Sequence, residues 1–109
     1  MKNRMRITIK ERDRTISLLS DDVMHITCSG YISTVHTTDR KIYRSSKLLK
    51  QYEEELTDDG FVRINHSTLI NFSTVKNVKI EKNRRLLLND EQEFIISRSK
   101  IYKVRKLIK

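Results

Sequence analysis

The sequence predicts a mainly β protein with two short helices, folded as a single domain over residues 1–109. Apolar residues alternate with polar ones along many short segments, which is the pattern of half-buried strands. Only two segments show apolar residues at helical spacing instead. With 109 residues, of which 37% are hydrophobic, the chain is long enough to bury one core without disulfides.

The predicted strands begin near the N-terminus, at residues 5–9 and 16–18, where isoleucines and leucine alternate with polar side chains. Further segments carry the alternating or β-branched residues typical of strands. These are residues 24–28, 32–38, 42–44, 61–64, 69–70, 75–80, 86–88 and 94–96. We expect about nine short strands, with polar hairpin turns at residues 38–41 and 89–92.

Two helices are predicted between and after these strands. The first follows Ser45 or Ser46, either of which can cap its N-terminus, and it ends before Gly60. Its apolar stripe comprises Leu48, Leu49, Tyr52 and Leu56. The second helix spans residues 98–109. Its apolar stripe comprises Ile101, Val104 and Ile108, with Leu107 beside them.

The chain is strongly basic, with 23 lysines and arginines against 14 acidic residues, a net charge of +9 and a pI near 9.9. The basic excess lies in residues 1–14 and 76–109, whereas residues 15–75 are slightly acidic. A cationic surface built from both ends of the chain attracts a polyanion through its field and through counterion release. The alternative is a solvated surface that serves solubility alone.

Membrane and secreted classes are not favoured by the sequence. No apolar run approaches the roughly 18 residues that a membrane helix needs, and the N-terminus lacks the apolar stretch of a signal peptide. Cys28 is the single cysteine, so an internal disulfide is impossible and a reducing compartment is the default. We therefore expect a cytoplasmic protein without membrane insertion.

Catalysis and metal binding are not expected either. The sequence contains neither a phosphate-cradling glycine loop nor a nucleophile motif. His25 and Cys28 are three residues apart on a predicted strand, so they point to opposite faces and do not make a simple metal site. We expect no enzymatic activity, no metal and no cofactor.

Four motifs follow one another along the chain. They are residues 22–37, which end in His-Thr, residues 43–48, residues 61–71 and residues 96–99. The third is the most diagnostic, with an aromatic residue, Arg, a polar pair, Ser, two apolar residues and Asn. In this order and with these gaps the motifs resemble the LytTR family, the DNA-binding output domain of many bacterial transcription regulators, and the resemblance covers roughly residues 7–108.

The resemblance implies an elongated stack of antiparallel β-sheets that touches duplex DNA with loops rather than with a recognition helix. The family's contact positions correspond to Ser29, Gly30, Tyr31, Asn65, His66 and Arg98, and Lys100 lies near them. The family's polar pair is usually His followed by Arg or Asn, whereas here it is Asn65-His66. The resemblance therefore leaves open which side chain reads a base.

The residue types at these positions suit DNA. Gly30 lets the backbone approach a phosphate closely, and Tyr31 is either a phosphate or sugar contact or a half-buried strand aromatic. The Asn65 amide has the donor and the acceptor that pairing with adenine requires, and His66 can donate to a phosphate or a guanine edge. The alternative for this pair is a turn residue followed by a core histidine.

Arg98 is the expected principal contact, because it begins the last helix and lies at helical spacing with Tyr102 and Arg105. A helix N-terminus adds amide donors that suit a phosphate. The alternative is a surface arginine paired with a carboxylate. Arg63 fits such a structural role better, and we expect it to pair with an acid such as Asp59.

The functional expectation is sequence-specific binding of duplex DNA by a bacterial transcription regulator, or by the output domain of a two-component response regulator. We expect two repeated DNA sites and either an upstream receiver domain or a second copy on the DNA. The main alternative is a basic β-rich RNA-binding module, although such modules usually display aromatic stacking platforms. A weaker alternative is an electrostatic binder of membrane surfaces.

Overall fold

The computed structural model describes residues 5–75, 77–88 and 92–108, and within these ranges the chain forms ten β-strands and two α-helices. The N-terminal half contains β1 (Arg6–Glu11), β2 (Arg14–Leu19), β3 (Val23–Ser29), β4 (Ile32–Thr37), β5 (Ile42–Ser45) and α1 (Leu49–Glu55). The C-terminal half contains β6 (Phe61–Asn65), β7 (Thr68–Asn71), β8 (Lys79–Glu81), β9 (Arg85–Leu87), β10 (Glu93–Ile95) and α2 (Ile101–Leu107). Short 3-10 turns lie at Ser20–Asp22, Thr57–Asp59, Lys82–Arg84 and Arg98–Lys100.

The strands form three antiparallel sheets. A central five-stranded sheet has the order β5-β4-β3-β7-β6, the β1–β2 hairpin forms a second sheet, and β10-β9-β8 form a third. The described residues extend over 43 × 35 × 24 Å. The expected mainly β fold with antiparallel sheets and two short helices is confirmed.

The central sheet is covered on both faces, and two separate hydrophobic cores result. On one face, Ile26 of β3 pairs with Leu69 of β7 and packs against the β1–β2 hairpin and α1. On the other face, Ile70 packs with the three-stranded sheet and with Val104 of α2. Full burial of one such side chain contributes about 1.5–3 kcal/mol, so both cores contribute substantially to the stability of the central sheet.

His25 lies where the central sheet meets the three-stranded sheet. Its buried ring stacks on His36 of β4 with the ring centroids 4.2 Å apart, and it meets the ring of Phe94 edge-on at 5.1 Å. Cys28 packs against the core on the opposite face, as the strand alternation predicts. The two side chains therefore lie on different faces of β3.

The beginning of α1 differs from the prediction. Neither Ser45 nor Ser46 caps the helix: Ser45 is the buried last residue of β5, and its Oγ accepts a hydrogen bond from the Tyr52 hydroxyl at 2.9 Å. Leu48 occupies the N-cap position, and its backbone N–H donates to Gln51 Oε1 at 3.0 Å. Because it lies at this helix end, Leu48 is exposed and does not belong to the apolar stripe.

Two further predictions need correction. The strand expected at residues 75–80 is the shorter β8, which begins at Lys79. The last helix starts with a 3-10 turn, and Leu107 is exposed rather than packed beside its stripe. Residues 89–91 of the predicted hairpin turn and Lys109 lie outside the described residues, but β9 and β10 pair antiparallel as expected.

Asn71, the last residue of the most diagnostic motif, is fully buried at the end of β7. Its Nδ2 donates to the carbonyl of Ser20 at 3.1 Å and to that of Val23 at 2.9 Å, and its Oδ1 accepts from the backbone N–H of Ser73 at 3.0 Å. The side chain thus joins the end of β7 to the beginning of β3, which explains why an asparagine stands there.

We expect Asn71→Ala to lower the free energy of unfolding by about 2–4 kcal/mol, because it leaves buried backbone groups without their hydrogen-bond partner. Urea denaturation followed by circular dichroism measures this. Thr38→Ala, an exposed turn position, serves as the control and should cost less than about 0.5 kcal/mol. Equal stabilities for the two variants would contradict the structural role of Asn71.

Candidate nucleic-acid interface

The β3–β4 turn and the β6–β7 turn lie side by side at one end of the central sheet. The reason is the antiparallel pairing of β3 with β7, in which Thr27 is opposite Thr68. Beyond this pair, the backbone N–H of Cys28 donates to the carbonyl of Ser67 at 2.9 Å. Residues 29–31 and residues 65–67, which the sequence singled out separately, are thereby brought together.

Hydrogen bonds hold the segment that leads into the last helix against the same end of the central sheet. The backbone N–H of Ser97 donates to the carbonyl of Ile64 at 2.8 Å, and Asn65 Nδ2 donates to the carbonyl of Ile95 at 2.6 Å. Arg98 follows directly after these contacts. The three predicted contact segments therefore meet at one surface, and we call this end of the central sheet, with residues 95–98, the basic end.

Several side chains at the basic end face solvent. Tyr31 is 83% exposed, so it is not the half-buried strand aromatic that was the alternative. Ser29, His66 and Arg98 are also exposed, and no hydrogen bond joins the His66 ring or the Arg98 guanidinium to another described residue. Gly30 has a φ of +61° with open space where a Cβ would stand.

Asn65 differs from its exposed neighbour His66. Besides donating to Ile95, its amide accepts hydrogen bonds through Oδ1 from the backbone N–H of Ser67 at 2.8 Å and from the Ser67 hydroxyl at 3.1 Å. The side chain thus closes the β6–β7 turn and ties it to β10. These contacts give Asn65 a positioning role, and its reading of a base stays a prediction.

Arg63 has the structural role that was expected, but with another partner. Its Nη1 lies 3.2 Å from Glu53 Oε1 on α1. Its Nε donates to the carbonyl of Asn65, and its Nη2 donates to the carbonyl of His66. Asp59 is not the partner, because it accepts hydrogen bonds from the Ser20 hydroxyl and from the backbone at the start of β1.

Charge is partitioned between the two ends of the central sheet. Basic side chains in and next to the turns of the basic end are Arg12, Arg14, Arg44, Lys47, Lys82, Arg84, Arg98 and Lys100. The opposite end carries the acidic turn residues Asp21, Asp22, Asp39, Asp58 and Asp59 together with Arg40 and Lys41, whereas Asp13 is an acid in a turn of the basic end. Both basic parts of the sequence thus reach one end, and most acids of the middle part lie far from it.

Arg12, Arg44 and Arg84, which flank these turns, were not predicted as contacts from the sequence. Arg84 donates through Nε to the carbonyl of Ile96 at 2.9 Å, which places the 3-10 turn at Lys82–Arg84 beside Arg98. Arg44 lies at the end of β5, on the far side of the β3–β4 turn. Counting the strands of an antiparallel meander could have found them, because alternate turns fall at the same end.

Other classes of site find little support among the residues that the structure describes. No group of three His, Cys, Asp or Glu side chains there is arranged to hold a metal ion. Each described α-helix has seven residues, and neither has the length or apolar character that crossing a bilayer requires.

Comparison with known proteins gives one consistent family. The family model described as the LytTr DNA-binding domain matches residues 13–109. The Sensory transduction protein LytR of Staphylococcus saprophyticus is 30% identical over 95 residues, which cover 85% of this chain and 36% of that protein. The Transcriptional regulatory protein LytR of Staphylococcus aureus strain N315 is 33% identical over 67 residues, 62% of this chain and 27% of that one. The chain thus spans about a third of the length of these curated relatives.

A solved structure supports the fold. A LytTr DNA-binding domain from Bacillus cereus superimposes with a TM-score of 0.76, and the match covers 94% of this chain and 95% of that one. The sequence identity is 22%, so the likeness concerns the architecture. It agrees with the three antiparallel sheets and two short helices described above.

The contacts of Asn65 generate a prediction about stability. Asn65→Ala should lower the free energy of unfolding by about 1–3 kcal/mol, because it removes the hydrogen bonds that close the turn and hold β10. His66→Ala, a change at the exposed neighbouring position, is the matched control and should be nearly neutral in chemical denaturation. If Asn65→Ala is as stable as the wild type but loses discrimination between DNA sequences, Asn65 is a base reader instead.

Proposed function

The chain belongs to the LytTR family of DNA-binding domains, and from this we propose that its basic end binds duplex DNA through the β3–β4 turn, the β6–β7 turn and the start of the last helix. The observation that carries the proposal is that three separate segments meet at one surface with exposed side chains. Phosphate contacts would position the domain, and contacts to base edges would give sequence preference.

Each exposed group at the basic end has a chemically distinct task in this proposal. The Arg98 guanidinium holds either a guanine edge or two phosphate oxygens with its fixed fork of donors. His66 donates to a phosphate or a base edge, and Tyr31 contacts the backbone. Ser29 and Gly30 allow the backbone of the first turn to approach a phosphate closely.

Two further residues, Asn65 and Lys100, have supporting roles in this proposal. Asn65 holds the β6–β7 turn against β10, so that the ring of His66 projects from a fixed backbone. Lys100 is half-buried in the 3-10 turn, and its charge adds to the positive field without a direct base contact. Rigid supports of this kind lower the conformational entropy lost on binding.

The relatives are named as a sensory transduction protein and a transcriptional regulatory protein. By analogy, we assign this chain to the DNA-binding output of a bacterial transcription regulator that works in the cytoplasm. A receiver domain or a second copy of the chain would then supply the partner. One domain covers roughly one turn of duplex, so we expect two repeated sites spaced by about one or two turns.

An RNA-binding function is less well supported. Five of the aromatic side chains are buried or half-buried: Tyr43, Tyr52, Phe61, Phe72 and Phe94. The exposed ones, Tyr31 and Tyr102, lie on a turn and on a helix rather than together on an open sheet face. Single-strand readers of the β class stack successive bases on such a face.

Selection of bound duplexes from a random DNA pool tests the function directly. The selected DNA should contain a short motif in two copies, and the affinity for it should exceed that for a scrambled duplex. With about 4–7 phosphate contacts, log affinity should fall against log salt with a slope of roughly −4 to −6. Recovery of no motif, or tighter binding to single-stranded RNA, would overturn the proposal.

Arg98→Ala should weaken binding to the selected duplex by about 1–3 kcal/mol without lowering the melting temperature, because the exposed guanidinium has no intramolecular hydrogen bond among the described residues. Titration against the selected and scrambled duplexes, with thermal melting of each protein, measures this. Lys103→Ala, which removes an exposed charge from α2, is the control and should weaken both complexes slightly and equally. A melting loss in Arg98→Ala would make Arg98 structural.

A further inference from the structure

An open groove with a volume of about 600 Å³ lies between the β1–β2 turn and the end of β5. Four basic residues, Lys10, Arg12, Arg14 and Arg44, and two acidic ones, Glu11 and Asp13, line it together with Ile32, Ser45 and Ser46. Ile32 directly follows Tyr31, so the groove adjoins the β3–β4 turn at the basic end. It is therefore continuous with the surface of the proposed function but lies outside the three segments that define it.

The Glu11 carboxylate connects the two sides of this groove and cancels only part of the positive charge of its arginines and lysine. One carboxylate oxygen accepts from the Arg14 guanidinium at 2.7 Å, and the other accepts from the backbone N–H of Arg44 at 2.9 Å. The backbone N–H of Arg44 and the Arg14 guanidinium hold the pKa of the Glu11 carboxyl below its usual range. The acid thus joins β1 to β5, and it attracts the Arg44 guanidinium electrostatically without a hydrogen bond to that group.

Arg12 and Arg44 are both exposed, and their guanidinium groups form no hydrogen bond with a side chain that the structure describes. Arg12 also has a φ of +50°, in the left-handed region that favours glycine. The two-residue turn of Arg12 and Asp13 thus holds a bulky cation where glycine would be easier.

We propose that Arg12 and Arg44 form an additional DNA-backbone site, in which the groove beside the β3–β4 turn receives a phosphate that flanks the segment touched by the basic end. The inference rests on the proposed function and extends it. Two guanidiniums in one groove offer forked sets of N–H donors to phosphate oxygens. The exposed Ser46 hydroxyl lies in the same groove, and Ile32 offers an apolar surface to the sugar.

The position of the groove determines what the site adds to binding. The family match begins at residue 13, so Lys10 and Arg12 lie before it. The contact would lengthen the footprint on one side only, next to Tyr31 and away from Arg98. Because it touches phosphate, it should raise affinity for selected and scrambled duplexes alike.

The chain offers a matched control for Arg12. Arg40 is also an exposed arginine in a turn with a positive φ, +67°, but it lies at the opposite, acidic end of the central sheet. Replacement of either residue by glycine removes one charge and keeps the backbone conformation accessible. Arg12→Gly and Arg40→Gly therefore differ mainly in where the charge is lost.

The experiment titrates wild type, Arg12→Gly, Arg44→Ala and Arg40→Gly with a labelled duplex that carries the selected site between flanking base pairs, at several salt concentrations. Arg12→Gly and Arg44→Ala should each reduce the magnitude of the salt slope by about one and weaken binding by roughly three- to tenfold. Arg40→Gly should leave the slope unchanged. Hydroxyl-radical footprinting should show protection lost on a single flank for the first two variants.

Two results overturn the inference in distinguishable ways. If the wild type binds the duplex and Arg98→Ala weakens it, but Arg12→Gly and Arg44→Ala match Arg40→Gly in slope and footprint, the groove holds no phosphate and the proposed function stands. If the wild type does not bind duplex DNA, the proposed function and this inference fail together. Thermal melting of all variants shows whether each one is folded at the titration temperature.

Discussion

The pairing of β3 with β7 is the constraint on which the functional surface depends. These strands are far apart in sequence, yet their register puts Thr27 opposite Thr68 and so brings the β3–β4 turn to the β6–β7 turn. A shift of β3 by one residue would exchange its two faces, so that Ile26 would leave its core and the His25 ring would take its place. Since both faces are buried against separate cores, the register is strongly determined, and the loop positions follow from it.

Antiparallel order also explains the distribution of charge. Turns that follow alternate strands lie at the same end of a sheet. In this chain basic side chains beside the turns predominate at one end, whereas most turn aspartates lie at the other end, together with Arg40 and Lys41. The result is an excess of positive charge at one end of the strands. Under the proposed function, this charge distribution would bring the basic end to a polyanion first and would disfavour binding through the acidic end.

Much of the fold could be predicted from the sequence, because alternation of apolar residues reports directly on half-buried strands such as β1 and β2. The beginning of α1 could not be predicted in this way, because Ser45 does not cap the helix. It is the last residue of β5 and accepts a hydrogen bond from the Tyr52 hydroxyl. The candidate site was predicted in part. Its segments were predicted through the family resemblance, but the position of Arg12 and Arg44 beside these segments depends on strand pairing, which local patterns do not reveal.

Asn65 and His66 are adjacent in the β6–β7 turn, but their side chains lie in different environments. Arg63 binds the carbonyls of both residues, and the amide of Asn65 binds Ser67 and Ile95, so the backbone of the turn is fixed from several directions. The ring of His66 is the group left exposed. Because little conformational entropy remains to be lost in the turn, a contact made by His66 can contribute more of its energy to affinity. The order of the pair therefore matters: the side chain at the first position holds the turn, and the one at the second position faces solvent.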